Sequence, residues 1–107
     1  MKSYHPIFGV KKPNYTHHLL NRYAQRFYNV AEDYSYSWLK LSINHKRITN
    51  EITKRLYNGS QIFPVQDFSE YLQKRYGNDL IFFQQGKAIF VIRNFINIVT
   101  VYKEEHE

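Results

Sequence analysis

Apolar residues along the first third of the chain recur with helical rather than strand spacing. Leu20, Tyr23, Ala24, Phe27 and Val30 stand three, one, three and three positions apart and make a single stripe. Asn14 and Thr16 are both suitable N-caps for that helix, and Asn29 marks its end. On the face opposite the stripe, His18, Arg22 and Arg26 recur every four residues. Residues 31–57 read as mainly helical, as one helix or two. Tyr34, Trp38 and Leu41 give one stripe, and Ile48, Ile52 and Leu56 give another, with Asn44-His45-Lys46-Arg47 between them. The run Tyr34 to Trp38 also alternates with strand period, so both readings stand there. Asn58-Gly59 is a strong stop.

Gln61 to Val65 reads as a short extended piece broken by Pro64. Asp67 can cap a further helix that buries Phe68, Tyr71, Leu72 and Tyr76 and ends at Gly77-Asn78. Beyond it the pattern changes to strands rich in Ile, Val and Phe. These are Leu80–Gln84, a turn at Gln85-Gly86-Lys87, Ala88–Arg93, a tight connection near Asn94-Phe95, and Ile96–Lys103. Helices first and strands last predict an α+β domain, with N-terminal helices packed on a C-terminal antiparallel meander of three to four strands. The chain of 107 residues reads as one domain: an irregular arm over 1–14, a mainly helical part over 15–76, and strands over 79–103. A polar tail, 104–107, follows.

Composition adds a sign to this outline. Fifteen Lys and Arg against nine Asp and Glu give a net charge of +6. That field attracts phosphate polymers, above all RNA, although a merely soluble basic domain would carry it too. With no Cys, disulfides, thiol catalysis and cysteine zinc sites are excluded. No segment has the form of a signal peptide, and no apolar run is long enough to span a membrane. The expectation is a cytoplasmic protein without a membrane partner.

Three constellations could carry chemistry. His18, Arg22 and Arg26 share one helical face. RNA cleavage without a metal needs a group that exchanges protons near neutral pH, and fixed cations beside the phosphate. The alternative is a solvated polar face. The last strand offers Thr100 and Tyr102, which strict period-two geometry places with Ile98 on one face, opposite Val99, Val101 and Lys103. Arg93 ends the strand before it. Plain cross-strand packing of Thr100 is the alternative. The third feature is a spread of cations beside aromatic rings: Lys46-Arg47, Lys54-Arg55-Leu56-Tyr57 and Lys74-Arg75-Tyr76, with Lys103 at the end of the last strand. Such interleaving suits single-stranded RNA, and helix C-termini favour the same cations for dipole reasons. His5, His17, His45 and His106 are not assigned chemistry, and no His pair shows metal-ligand spacing with nearby carboxylates. Neither a metal nor a cofactor is expected.

Taken together, His18-x3-Arg22-x3-Arg26, then Arg47-Ile48-Thr49 opening a helix that ends in Asn58-Gly59, then Ile98-Val99-Thr100-Val101-Tyr102, resemble small ribonuclease toxins. These form the barnase, EndoU, colicin and RelE-like group, which includes toxin–antitoxin and contact-dependent inhibition toxin domains. The resemblance spans residues 16 to 103. It implies helices packed on an antiparallel sheet, RNA cleaved without metal in the sheet's cleft, and neutralisation by an acidic antitoxin or immunity protein. It makes His18 the general acid or base, Arg22, Arg26 and Arg93 the phosphate holders, and Thr100 and Tyr102 the orienting groups. The segment from Glu32 to Lys46 is an addition to the pattern. Because His18 lies opposite the apolar stripe, it reaches the cleft only if its helix runs along the rim of the sheet. A non-catalytic nucleic-acid binder or host regulatory protein is the second reading, and a protein–protein adaptor the third.

Overall fold

The computed structural model describes residues 5–104. The elements are β1 (Asn14–Tyr15), α1 (His17–Phe27), α2 (Ser35–Lys40), α3 (Ser42–Asn58), β2 (Ser60–Ile62), α4 (Gln66–Tyr76), β3 (Leu80–Gln85), β4 (Ala88–Arg93) and β5 (Asn97–Lys103). The class is α+β, with the expected β3-β4-β5 meander at its centre. Two short strands extend that meander into a five-stranded sheet of order β1-β5-β4-β3-β2. β2 pairs antiparallel with β3, whereas β1 pairs parallel with β5, through Asn14 opposite Asn97 and Tyr15 opposite Ile98.

The sheet is covered on both faces. On one, Leu19, Leu20, Tyr23 and Ala24 of α1 and Ile48, Ile52 and Leu56 of α3 bury Phe83, Phe90, Ile92, Ile98 and Val101. On the other, Leu72 of α4 packs on Phe82, Val91 and Val99, with Phe68, Tyr76 and Tyr102 at the margin. A strand between two apolar layers needs apolar residues at successive positions, and β4 shows this from Ala88 to Ile92. The ambiguous Tyr34–Trp38 segment folds as the start of α2. Ser35 is buried and its hydroxyl donates to the Asn21 side-chain carbonyl and to the Glu32 carbonyl. Leu41, in an extended conformation, separates α2 from α3. Asp67 does not cap α4; it lies in the first turn, where a carboxylate complements the helix dipole.

β5 departs from simple alternation. Thr100 lies opposite Val91, but Ile98 lies opposite Ile92, so Val99 is an extra residue in a β-bulge. Ile98 therefore joins Val101 on the α1–α3 face, while Val99 joins Thr100 and Tyr102 on the α4 face. The expected grouping of Ile98 with Thr100 and Tyr102 is corrected by this bulge.

The arm is better ordered than an irregular tail. His5 is 3% exposed, its Nε2 lies 2.9 Å from the Leu56 carbonyl, and its Nδ1 accepts from the backbone N–H of Ile7 at 3.1 Å. Those partners require the tautomer with the proton on Nε2. Burial lowers the His5 pKa, against the opposing pull of the Leu56 carbonyl. His106 lies outside the described residues.

Candidate nucleic-acid cleft

The position of α1 makes the site. β1 covers only the first two residues of β5, which leaves the edge of β5 beyond Ile98 in need of partners. α1 supplies them from its two ends. The Thr16 hydroxyl caps α1 by accepting from the Leu19 N–H, and it donates to the carbonyls of Ile98 and Val99 at 3.1 and 3.3 Å. Ten residues on, the Arg26 guanidinium donates to the Val101 carbonyl. The helix thus runs along the rim of the sheet. Its apolar stripe enters the α1–α3 core, and its polar face turns past the edge towards α4.

There the polar face meets the end of α4. His18 Nε2 lies 3.2 Å from the Tyr76 hydroxyl. Arg75 Nε donates to the same hydroxyl at 3.2 Å, and its guanidinium carbon stands 5.6 Å from the Tyr76 ring centre. The Arg26 guanidinium lies 4.6 Å over the Tyr102 ring, which also meets Phe68 edge-on at 5.3 Å. Arg22 donates to Gln25 at 3.1 Å, which leaves most of its donor set unused by that bond. An open pocket of about 360 Å³ continues from Arg26 and Tyr102 to Gln25, Asn29 and Lys103.

The electrostatics follow from this packing. Partial burial lowers the His18 pKa most, and the cations of Arg22, Arg75 and Arg26 lower it further. The imidazole is therefore neutral at pH 7. The Tyr102 phenol is pushed up to about 12, chiefly by burial and by Tyr76, against the pull of Arg26. Among the described residues, no carboxylate is one of the groups that shift His18. Three guanidinium groups are thus gathered around one imidazole. No protein-family model, no curated protein and no solved structure matches this chain.

The other expected residues are distributed as follows. Thr100 is on the α4 face but 1% exposed, so it forms the floor beneath the cleft. Arg93 is exposed and pairs with Asn97, at the end of the sheet away from Tyr102. Four ladder steps, about 13 Å, separate it from Ile89, the partner of Tyr102. Lys103 is exposed on the pocket wall, with its ammonium 5.7 Å from the Phe27 ring centre. Lys74 and Arg75 are exposed in the last turn of α4. Lys46, Arg47 and Lys54 are exposed on α3.

Arg55 is different, for it is half-buried and its donors are engaged by other groups of the protein. Its Nε donates to the Tyr23 hydroxyl at 2.8 Å and its Nη1 to the Gln85 side chain at 2.9 Å. Tyr23 in turn donates to Glu51 at 2.7 Å, and Tyr28 donates to the other Glu51 oxygen.

Sequence reasoning missed Tyr76 as a functional group. It was legible as the last residue of a buried stripe and as the ring beside Lys74-Arg75, but not as the partner of His18. Tyr71, expected on the buried side of α4, is 53% exposed. Among the described residues no cluster of three or more His, Cys, Asp or Glu could hold a metal ion, and no helix is long and apolar enough to cross a membrane.

Proposed function

We propose that the cleft between α1 and α4 binds single-stranded RNA and cleaves it by general acid–base catalysis, as a small ribonuclease toxin would. The observation that carries this reading is the neutral His18 imidazole, hydrogen-bonded to Tyr76 and ringed by Arg22, Arg26 and Arg75. In the reaction, Nδ1 of His18 takes the proton of a ribose 2′-hydroxyl, whose oxygen attacks the adjacent phosphorus. The bond from phosphorus to the 5′ oxygen breaks, and Tyr76 gives that oxygen its proton. His18 then returns a proton to Tyr76 through Nε2, and exchange of the remaining proton from Nδ1 to Nε2 through solvent restores the starting tautomer. The products are a 2′,3′-cyclic phosphate and a 5′-hydroxyl. The three guanidinium groups offset the charge that gathers on the phosphoryl oxygens. Tyr102, propped by Phe68 and covered by Arg26, orients the strand, and Arg93 meets a phosphate outside the cleft.

The net charge of +6 supports an acidic protein as the antitoxin or immunity partner, and a cytoplasmic setting follows from the RNA substrate. One observation favours a non-catalytic RNA binder as the second reading. Arg26 is already engaged by the Val101 carbonyl and the Tyr102 ring, and so is less free to follow a transition state.

Incubation with total RNA in a chelator separates the two. The nuclease reading expects fragments with cyclic phosphate ends. His18→Ala should lower the cleavage rate by about 10²- to 10⁴-fold, with the circular dichroism spectrum unchanged. RNA that stays intact, together with salt-sensitive binding, would establish the binder instead.

A further inference from the structure

The β4–β5 connection holds a feature that the cleft does not use. Asn94 and Phe95 both have positive φ, 55° and 63°. Asn tolerates this region, but the second position of such a turn favours Gly, and a side chain with a Cβ is disfavoured there. The residue present is nevertheless a phenylalanine whose side chain is 61% exposed. Neither backbone preference nor core packing accounts for it. Beside the ring lies an open pocket of about 360 Å³ between this turn and the N-terminal arm. Ile7 and Ile96 line it with apolar surface, and Asn94, Phe95 and Lys11 add an amide, a ring and a cation.

The opposite wall is fixed in advance. His5 and Gly9 exchange backbone hydrogen bonds of 3.2 and 2.8 Å, and the buried His5 ring ties the arm to α3 through Leu56. A pocket with one rigid wall, a projecting ring and an adjacent cation matches the face, edge and phosphate of one unpaired nucleotide. It is also close to the cleft. Two residues beyond Ile96, the carbonyl of Ile98 accepts the Thr16 hydroxyl at the start of α1, and exposed Arg93 stands on the same turn.

We infer that this pocket holds an unpaired base of the RNA that enters the α1–α4 cleft, with Phe95 as the stacking platform and Lys11 on the neighbouring phosphate. This inference rests on the RNA reading of the cleft and extends it to a specificity subsite. It also explains why the turn keeps a residue that its backbone disfavours.

The test uses short single-stranded oligoribonucleotides and the full chain carrying His18→Ala, so that binding is read without turnover. Adding Phe95→Gly relieves the backbone and removes the ring. The expected result is an unchanged or higher melting temperature with affinity about tenfold lower, in the range for losing one base stack. Phe95→Trp should retain the affinity, and Phe95→Leu should lose it. Lys11→Ala should reduce the salt dependence of binding. Equal affinity of the Phe95→Gly and parent chains would overturn the subsite. Failure of the chain with native His18 to cut RNA would overturn the nuclease reading alone, since the subsite is read by binding.

Discussion

Two polar clusters of similar make-up sit on opposite sides of the sheet, and their difference is instructive. On the α1–α3 side, Tyr23 and Tyr28 converge on Glu51, and Arg55 donates to the Tyr23 hydroxyl. On the α4 side, Tyr76 and three arginines gather around His18, and one of them, Arg26, also covers the Tyr102 ring. In the first cluster a carboxylate stands at the centre. It accepts from both phenols, and Arg55 closes onto Tyr23 and Gln85, so charge and hydrogen bonding are satisfied within the protein. Tyr28, pushed up to about 12 by burial and by Glu51, stays a donor at any ordinary pH. In the second cluster a neutral base stands at the centre and the surrounding charge is all positive. A balanced cluster holds the fold. The other carries an excess of positive charge that the protein does not offset there.

The comparison breaks most easily at Glu51. Glu51→Ala leaves the Tyr23 and Tyr28 hydroxyls without their acceptor, and a loss of about 3 kcal/mol is expected. For a domain of this size that lowers the melting temperature by roughly 12 to 24 °C. The cleavage rate of the molecules that remain folded should not change. Thermal unfolding followed alongside an RNA cleavage assay at low temperature checks both parts. A variant as stable as the parent would show that this cluster is not the structural one.

Tyr76→Phe probes the other side with a smaller change. It keeps the ring packed against Leu72 and Val99 and removes only the hydroxyl that joins His18 to Arg75. The expected result is cleavage slower by about 10²-fold, at the lower end for losing a positioned proton donor. Stability should shift by less than about 1 kcal/mol, which urea unfolding measures. Full activity in this variant would remove Tyr76 from the reaction and leave the role of acid to solvent.

Much of this arrangement could be read from the chain, and the parts that could not share a cause. The stripe from Leu20 to Phe27 and the basic face opposite it follow from local period, as does the order of helices before strands. What period cannot show is where α1 lies. That depends on two residues of β1 pairing with β5 and on Thr16 and Arg26 reaching carbonyls more than seventy positions away. The partnership of His18 with Tyr76 spans 58 positions, and that of His5 with Leu56 spans 51. The bulge at Val99 was hidden for another reason. The sheet is apolar on both faces, so an extra residue leaves no break in the pattern. The engagement of Arg55 was hidden because its charge is visible in sequence and its partners Tyr23 and Gln85 are not.

Acid sharpens the comparison at the smallest scale, because burial lowers both imidazoles but neighbouring cations act on His18 alone. His5 is lowered by burial, with Nδ1 facing a backbone N–H that a proton would oppose. His18 is lowered by partial burial and by the arginines. Well above pH 6.5 both groups are neutral in the folded and the unfolded chain, and the two contribute no slope to stability. As pH falls below 6.5, the unfolded chain takes up protons that the folded chain does not, so stability declines until the folded-state pKa values are passed. Cleavage should weaken over the same acid limb, since only the neutral His18 can accept the 2′-hydroxyl proton. RNA separates the two groups. Its phosphates offset Arg22, Arg26 and Arg75 and so raise the His18 pKa, while His5 keeps its buried partners. Proton NMR titration of the two imidazoles, with and without a non-cleavable RNA analogue, should therefore move His18 upwards and leave His5 in place. A His18 that ignores the RNA would mean that the anion is bound somewhere other than between α1 and α4.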